Sequence, residues 1–154
     1  MGVNANSARR VRRQRPGPPH QDPRLLAVIF VGGAAGTATR ALVERALRAP
    51  VGTWPWATFA INLTGAFLLG LLLETLARSG PEGRWRRSVR LGAGTGFLGS
   101  YTTYSTFAVE ATTLSLPLSL GYAVSTTALG GLAAAAGYLV ARRLPRAAVP
   151  GVET

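Results

Sequence analysis

Between Gly94 and Glu110 the chain reads GTGFLGSYTTYSTFAVE, with apolar sequence on either side. Glycines open the stretch, hydroxyl side chains fill Tyr101 through Thr106, and the carboxylate of Glu110 closes it. Thr102, Thr103 and Thr106 are β-branched and only modest helix formers. A lone Ser or Thr in an apolar helix bonds back to its own backbone. A dense run directly behind Gly96 and Gly99 instead predicts a break in the helix. Carbonyls freed at such a break are good ligands for a hard cation such as Na⁺. A second chemical group is Asn62, in the middle of the apolar segment TFAINLTGAF. Its amide has two N–H donors that must find partners, either on a neighbouring helix or along a polar path. Glu110 is the deeper of two carboxylates in apolar sequence and so a functional candidate, whereas Glu74 lies near a segment end and can reach water. Arg40, near another segment end, can snorkel to an interface.

The elements that must position these groups follow from composition. The chain has 154 residues, 47% of them hydrophobic and only 15% charged, with a formal net charge of +11. All of its basic side chains are arginine. A basic protein of this size first suggests nucleic acid. The arginines, however, cluster at both ends and in one central stretch, with long apolar segments between, as in a membrane protein with basic flanks. The predicted fold class is an all-α integral membrane protein with four transmembrane helices, at roughly residues 25–43, 56–77, 89–114 and 118–141, the third broken mid-membrane. Residues 1–23 read as a basic, Pro/Gly-rich disordered tail, 24–143 as the membrane domain and 144–154 as a C-terminal tail. There is no cysteine, and the one histidine, His20, lies in the leader. A His- or Cys-based metal or catalytic cluster is thereby excluded, and no nucleophile–base pair suggests an enzyme.

Orientation follows from counting. Fourteen arginines fall on the side of the two termini and the loop after the second span, against Arg40, Arg45 and Arg48 on the other. The positive-inside rule then places both termini in the cytoplasm. Trp54, Trp56 and Trp85 lie at span ends, as interfacial indoles or as plain turn and surface aromatics. Gly32 and Gly36, and likewise Gly65 and Gly70, suit close helix packing. GTGFLG, from Gly94 to Gly99, matches a dinucleotide-binding pattern literally, but such a site needs a strand before it and a soluble βαβ unit around it.

GGAAGTATR (Gly32–Arg40), ATFAINLTGAFLLG (Ala57–Gly70) and GFLGSYTTYSTFAVE (Gly96–Glu110), in this order, resemble the CrcB/Fluc family of fluoride channels. The third motif is the specific one, since the family signature is a Gly-rich segment followed by T-T-F-S-T-F. The resemblance implies a passive fluoride channel in the bacterial cell membrane that lowers cytoplasmic fluoride. It implies an antiparallel dimer with two pores and a structural Na⁺ at the dimer interface, held by backbone carbonyls that fall here on Gly99 and Thr102. The pore asparagine falls on Asn62, with Thr58 one turn before it. The pore aromatics fall on Tyr104 and Phe107, the hydroxyls of Ser105 and Thr106 lie between, and the acidic pore residue falls on Glu110. Tyr122 and Thr126 would supply a polar track on the fourth helix. Tyr104 departs from the family's phenylalanine and adds a hydroxyl that needs a partner.

The chemistry of such a path is consistent with an anion. Amide and hydroxyl donors replace the water of a small hydrated ion without a fixed charge that would trap it, and aromatic rings present a positive edge. A competing reading is a small four-helix multidrug or cation exporter, which needs a carboxylate in the first span, where none occurs between Leu25 and Val43. Another is a non-conducting membrane subunit whose basic tails bind anionic lipid, which leaves the hydroxyl run unexplained. The arginine bias carries one more expectation. A chain biased fourteen to three inserts in one orientation, so an antiparallel dimer would be a heterodimer with an oppositely oriented homologue rather than a homodimer.

Overall fold

The computed structural model describes residues 22–80 and 83–145. Most of the two predicted tails, with His20, therefore lies outside the described residues. Among those described, the chain is helical and contains no strand. Helix α1 spans Pro23–Ala46 and α2 Trp56–Arg78. A short α3, Arg84–Val89, runs into a π-helical stretch, Arg90–Leu98, and a last turn, α4, Gly99–Tyr101. Helix α5 covers Ser105–Thr113 and α6 Leu116–Arg143. Among the described residues three helices, α1, α2 and α6, are long and apolar enough to cross a membrane. In the segment expected as a broken third span, the winding changes from α to π, the helical run stops at Tyr101 and a new helix starts at Ser105.

Local chemistry sets the boundaries. Asp22 caps α1, its carboxylate accepting the Arg24 N–H at 3.0 Å, and Pro23 occupies the first turn, where its missing N–H costs nothing. Helix α2 ends at Arg78, and Gly80 follows with φ +101°, a conformation that glycine adopts without strain. Pro117 lies in the first turn of α6.

Packing is by pairs: α2 lies along α6, and α1 lies along the π-helical stretch. Both contacts depend on missing side chains. A Cβ at Gly36 would collide with the Phe97 carbonyl, and one at Gly137 with the Phe67 carbonyl. The sequence expectation of close packing through Gly32, Gly36, Gly65 and Gly70 matches this geometry. Gly94 to Gly99 runs through the π-helical stretch into α4, with no strand before it among the described residues, so a dinucleotide fold is not built there.

Polarity is arranged for an apolar surround. Phe30, Val31, Leu42, Val124 and Leu132 are among many large apolar side chains that are exposed. The fully buried side chains, Thr58, Ile61 and Tyr122, include two with hydroxyls. A soluble domain would bury more of the first set. Helical segments with apolar outsides and bonded polar groups inside are what a bilayer permits.

Candidate functional site

The site begins where the helical run stops. Thr102 closes the last turn of α4, its own N–H still bonded to the Leu98 carbonyl at 3.0 Å, but its ψ of 155° is extended. Helix resumes at Ser105. The cause is a redirection of amides. The Thr103 N–H, which in a continuous helix would go to Gly99, donates to Asn62 Oδ1 at 3.0 Å. Asn62 Nδ2 donates back to the Thr103 carbonyl at 3.0 Å, closing a reciprocal pair across α2 and the chain interruption. The Thr106 N–H, whose helical acceptor would be Thr102, goes to Thr103 Oγ1 at 3.2 Å. Neither the Gly99 nor the Thr102 carbonyl thus receives the amide that a regular helix would give it. The close seat of this segment against α2 requires Gly65, where a Cβ would meet the Thr102 methyl.

An open cleft of about 290 Å³ lies beside the interruption, lined by Asn62, Thr102, Thr103, Tyr104, Phe107, Thr126 and Thr127. Two of these carry polar hydrogens with no acceptor among the described residues. Asn62 spends one N–H on Thr103, and its second has no acceptor among the described residues. Thr126 is 8% exposed, and its hydroxyl is buried without a hydrogen-bond partner among the described residues. A buried unpaired hydroxyl costs about 1–3 kcal/mol, so one kept on a residue that lines a cleft calls for an explanation. The aromatic wall is Tyr104 and Phe107, with ring centroids 6.0 Å apart. Tyr104 is 81% exposed, whereas Phe107 lies against the Tyr122 ring at 5.0 Å.

One helical turn along, a second cluster continues the track. Thr58 precedes Asn62 by four residues on α2, and Tyr122 precedes Thr126 by four on α6, so each pair is separated by about 6 Å along its axis. Thr58 Oγ1 donates to Glu110 Oε1 at 2.9 Å, and the Tyr122 hydroxyl donates to Glu110 Oε2 at 3.0 Å. Both hydroxyl donors are fully buried. Their protons are therefore committed to the carboxylate, and an anion could take them only by displacing Glu110. The Trp54 ring closes this level, edge-on to Tyr122 at 5.5 Å.

The structure thus brings Asn62, Thr58, Tyr104, Phe107, Glu110, Tyr122 and Thr126 into one two-level track. Ser105 and Thr106 stand behind it: Thr103 Oγ1 lies 3.3 Å from Ser105 Oγ and donates to Thr106 Oγ1 at 3.0 Å, and neither residue lines the cleft. Two contributors were missed in the sequence, Thr103 and Thr127. Thr103 belongs to the same hydroxyl run, but nothing in the run distinguishes the one residue whose backbone Asn62 clamps. Arg40 is not part of the track and pairs with Glu44 at 3.6 Å on the surface of α1.

Residues 27–138 match the protein family described as "CrcB-like protein, Camphor Resistance (CrcB)". The chain is 50% identical over 125 residues to "Fluoride-specific ion channel FluC 2" of Leifsonia xyli subsp. xyli, covering 78% of this chain and 85% of that one. It is 46% identical over 118 residues to "Fluoride-specific ion channel FluC 2" of Moorella thermoacetica, covering 70% and 88%. With "Fluoride-specific ion channel FluC 1" of Mycobacterium bovis it shares 36% identity over 132 residues, 82% of this chain and 96% of the relative. The matched region contains every residue of the two-level track, and the chain belongs to the CrcB-like family.

Proposed function

We propose that this protein is a fluoride-specific ion channel that lets cytoplasmic fluoride leave passively across the plasma membrane. The observation that carries the reading is a cleft beside membrane-length helices lined by Asn62 and Thr126, each with a polar hydrogen left without an acceptor among the described residues. Fluoride is small and strongly hydrated, so a path for it must replace water with N–H and O–H donors. No formal positive charge lines the cleft among the described residues, so nothing there would hold the ion too tightly to leave. The positive edges of Tyr104 and Phe107 add a weak, non-trapping attraction. Fluoride that enters as HF dissociates in the less acidic cytoplasm, and the anion then leaves down its gradient with about 2.3 kcal/mol per 100 mV of membrane potential. The function is transport, with no catalysed bond change.

In this reading residues 24–143 form the channel domain, and the π-helical stretch, α4 and α5 act as one membrane-crossing segment broken at mid-membrane by Thr102–Tyr104. The Gly99 and Thr102 carbonyls, stripped of their helical amides, are the oxygens that would hold a structural Na⁺ at a dimer interface. Uncharged carbonyl oxygen suits such a hard cation, whose charge would fix the break. Both termini are cytoplasmic, because the described arginines Arg24, Arg78, Arg84, Arg142 and Arg143 gather at that end. The same bias supports an antiparallel heterodimer with an oppositely oriented homologue over a homodimer. The deciding experiment is efflux from proteoliposomes read with a fluoride electrode, with chloride as control. Fluoride flux that strongly exceeds chloride flux is expected, and equal fluxes would refute the channel reading. Reporter fusions at the C-terminus test the pairing: an even split between the two sides, with flux from the protein alone, would refute the heterodimer.

A further inference from the structure

We propose that the arginine-rich end of the molecule is a binding collar for the headgroups of anionic phospholipids. The proposal rests on the membrane placement argued above and adds to it a lipid class and the residues that select it. The topology brings the start of α1, the end of α2, the start of α3 and the end of α6 to one end. That end collects Arg24, Arg78, Arg84, Arg86, Arg142 and Arg143. Arg78 and Arg86 donate to the neutral carbonyls of Ala141 and Gly80, which leaves their charge uncompensated. Arg24, Arg84, Arg142 and Arg143 have no carboxylate partner among the described residues. Asp22, at the same end, uses its side chain to cap α1.

Two aromatic residues distinguish a lipid from a free anion. Trp85 is 70% exposed beside Arg84, and Tyr138 is 40% exposed with the Arg142 guanidinium 5.7 Å above its ring. Aromatic rings of this kind settle at headgroup level, with guanidinium groups just outside them. Leu139, 53% exposed, continues the apolar surface next to Tyr138. A guanidinium fork binds a phosphate diester through paired N–H donors, and the apolar surface beneath accepts the attached acyl chains. Inorganic phosphate would need only the first of these features. A nucleic acid would have to reach guanidinium groups flanked by membrane-facing aromatics.

The test uses the full chain in phosphatidylcholine bilayers containing a minor fraction of either brominated phosphatidylglycerol or brominated phosphatidylcholine. Quenching of Trp85 is the difference between the native protein and Trp85→Phe. The expected result is stronger quenching by the anionic lipid, a local enrichment of about fivefold for each arginine engaged, reduced by high salt. Arg84→Gln with Arg86→Gln should bring the two lipids close to parity, whereas Arg45→Gln with Arg48→Gln at the opposite end should change nothing. Equal quenching by both lipids in the native protein would overturn the collar. So would loss of the enrichment on adding inorganic phosphate or a short oligonucleotide at constant ionic strength, which would assign the site to a free anion or to nucleic acid. Absence of quenching by either lipid would instead remove the membrane placement, and the proposed function with it. The salt dependence of the native protein keeps the test valid should the double variant fail to fold.

Discussion

Replacing Thr126 by valine separates a donor held for an ion from a hydroxyl that is merely ill-placed. The two side chains have nearly the same shape, so packing of α6 against α2 is preserved. The hydroxyl is buried and unpartnered, and leaving such a group unpaired costs about 1–3 kcal/mol. Its removal should therefore stabilise the protein, by about 1 kcal/mol once the imperfect match of a methyl group is allowed for. If the hydroxyl is a ligand to a passing anion, the same change removes a hydrogen bond to a charged group, worth about 1.5–3 kcal/mol. Each 1.36 kcal/mol of barrier is a factor of ten in rate, so fluoride efflux should fall about 10- to 100-fold. The expected signature is a more stable protein that conducts less. Thermal unfolding in detergent and efflux from proteoliposomes read the two quantities independently. Unchanged efflux with increased stability would reduce Thr126 to a packing defect. Decreased stability would show that the hydroxyl is bonded after all, and the reasoning from an unspent donor would collapse.

Other substitutions probe the rest of the track. Asn62→Asp keeps an acceptor for the Thr103 N–H but removes both donors. A carboxylate about 5 Å from the ion at an effective dielectric of about 20 adds roughly 3 kcal/mol of repulsion, so efflux should fall at least about 100-fold, and an unchanged rate from a folded variant would show that Asn62 only packs. Phe107→Ile should slow efflux because an aliphatic side chain has no positive edge, while Tyr104→Phe should be tolerated; normal conduction by the first would exclude the aromatic wall from the path. Gly36→Val should destabilise strongly, because its side chain must enter the space of the Phe97 carbonyl, whereas Gly130→Ala, with nothing nearby, should raise helix stability by up to about 1 kcal/mol; thermal unfolding distinguishes the two.

The three long helices were readable because each is an apolar run of membrane length bounded by Pro, Gly or Arg, signals that act within a few residues. The winding of the next segment was not. Whether an amide reaches back four carbonyls or five is decided by what lies alongside, and here α1 approaches the π-helical stretch over bare glycines. The site divides along the same line. Asn62, Phe107 and Glu110 are conspicuous as residue types in their setting. Thr103 stood out only as one of the hydroxyl run, because its clamp on Asn62 is made by its backbone, and the unsatisfied state of Thr126 is a property of the assembled helices rather than of a threonine.

Asn62 shows why a structural and a functional reading of a buried amide need not compete. Its side-chain oxygen and one N–H hold the backbone of Thr103. That contact is the helix-to-helix hydrogen bond expected of polar groups in apolar surroundings. Yet the same contact takes the Thr103 amide away from Gly99, and so produces the interruption beside which the cleft lies. It also fixes the plane of the amide, which leaves the second N–H directed by geometry rather than by thermal sampling. A donor already oriented adds no ordering penalty when an ion replaces its water there. Asn62→Gln would keep the chemistry and displace the amide by one methylene. Loss of conduction comparable to that of Asn62→Asp would then follow from geometry alone, without any added charge, and retention of near-native efflux by Asn62→Gln would show that orientation contributes little.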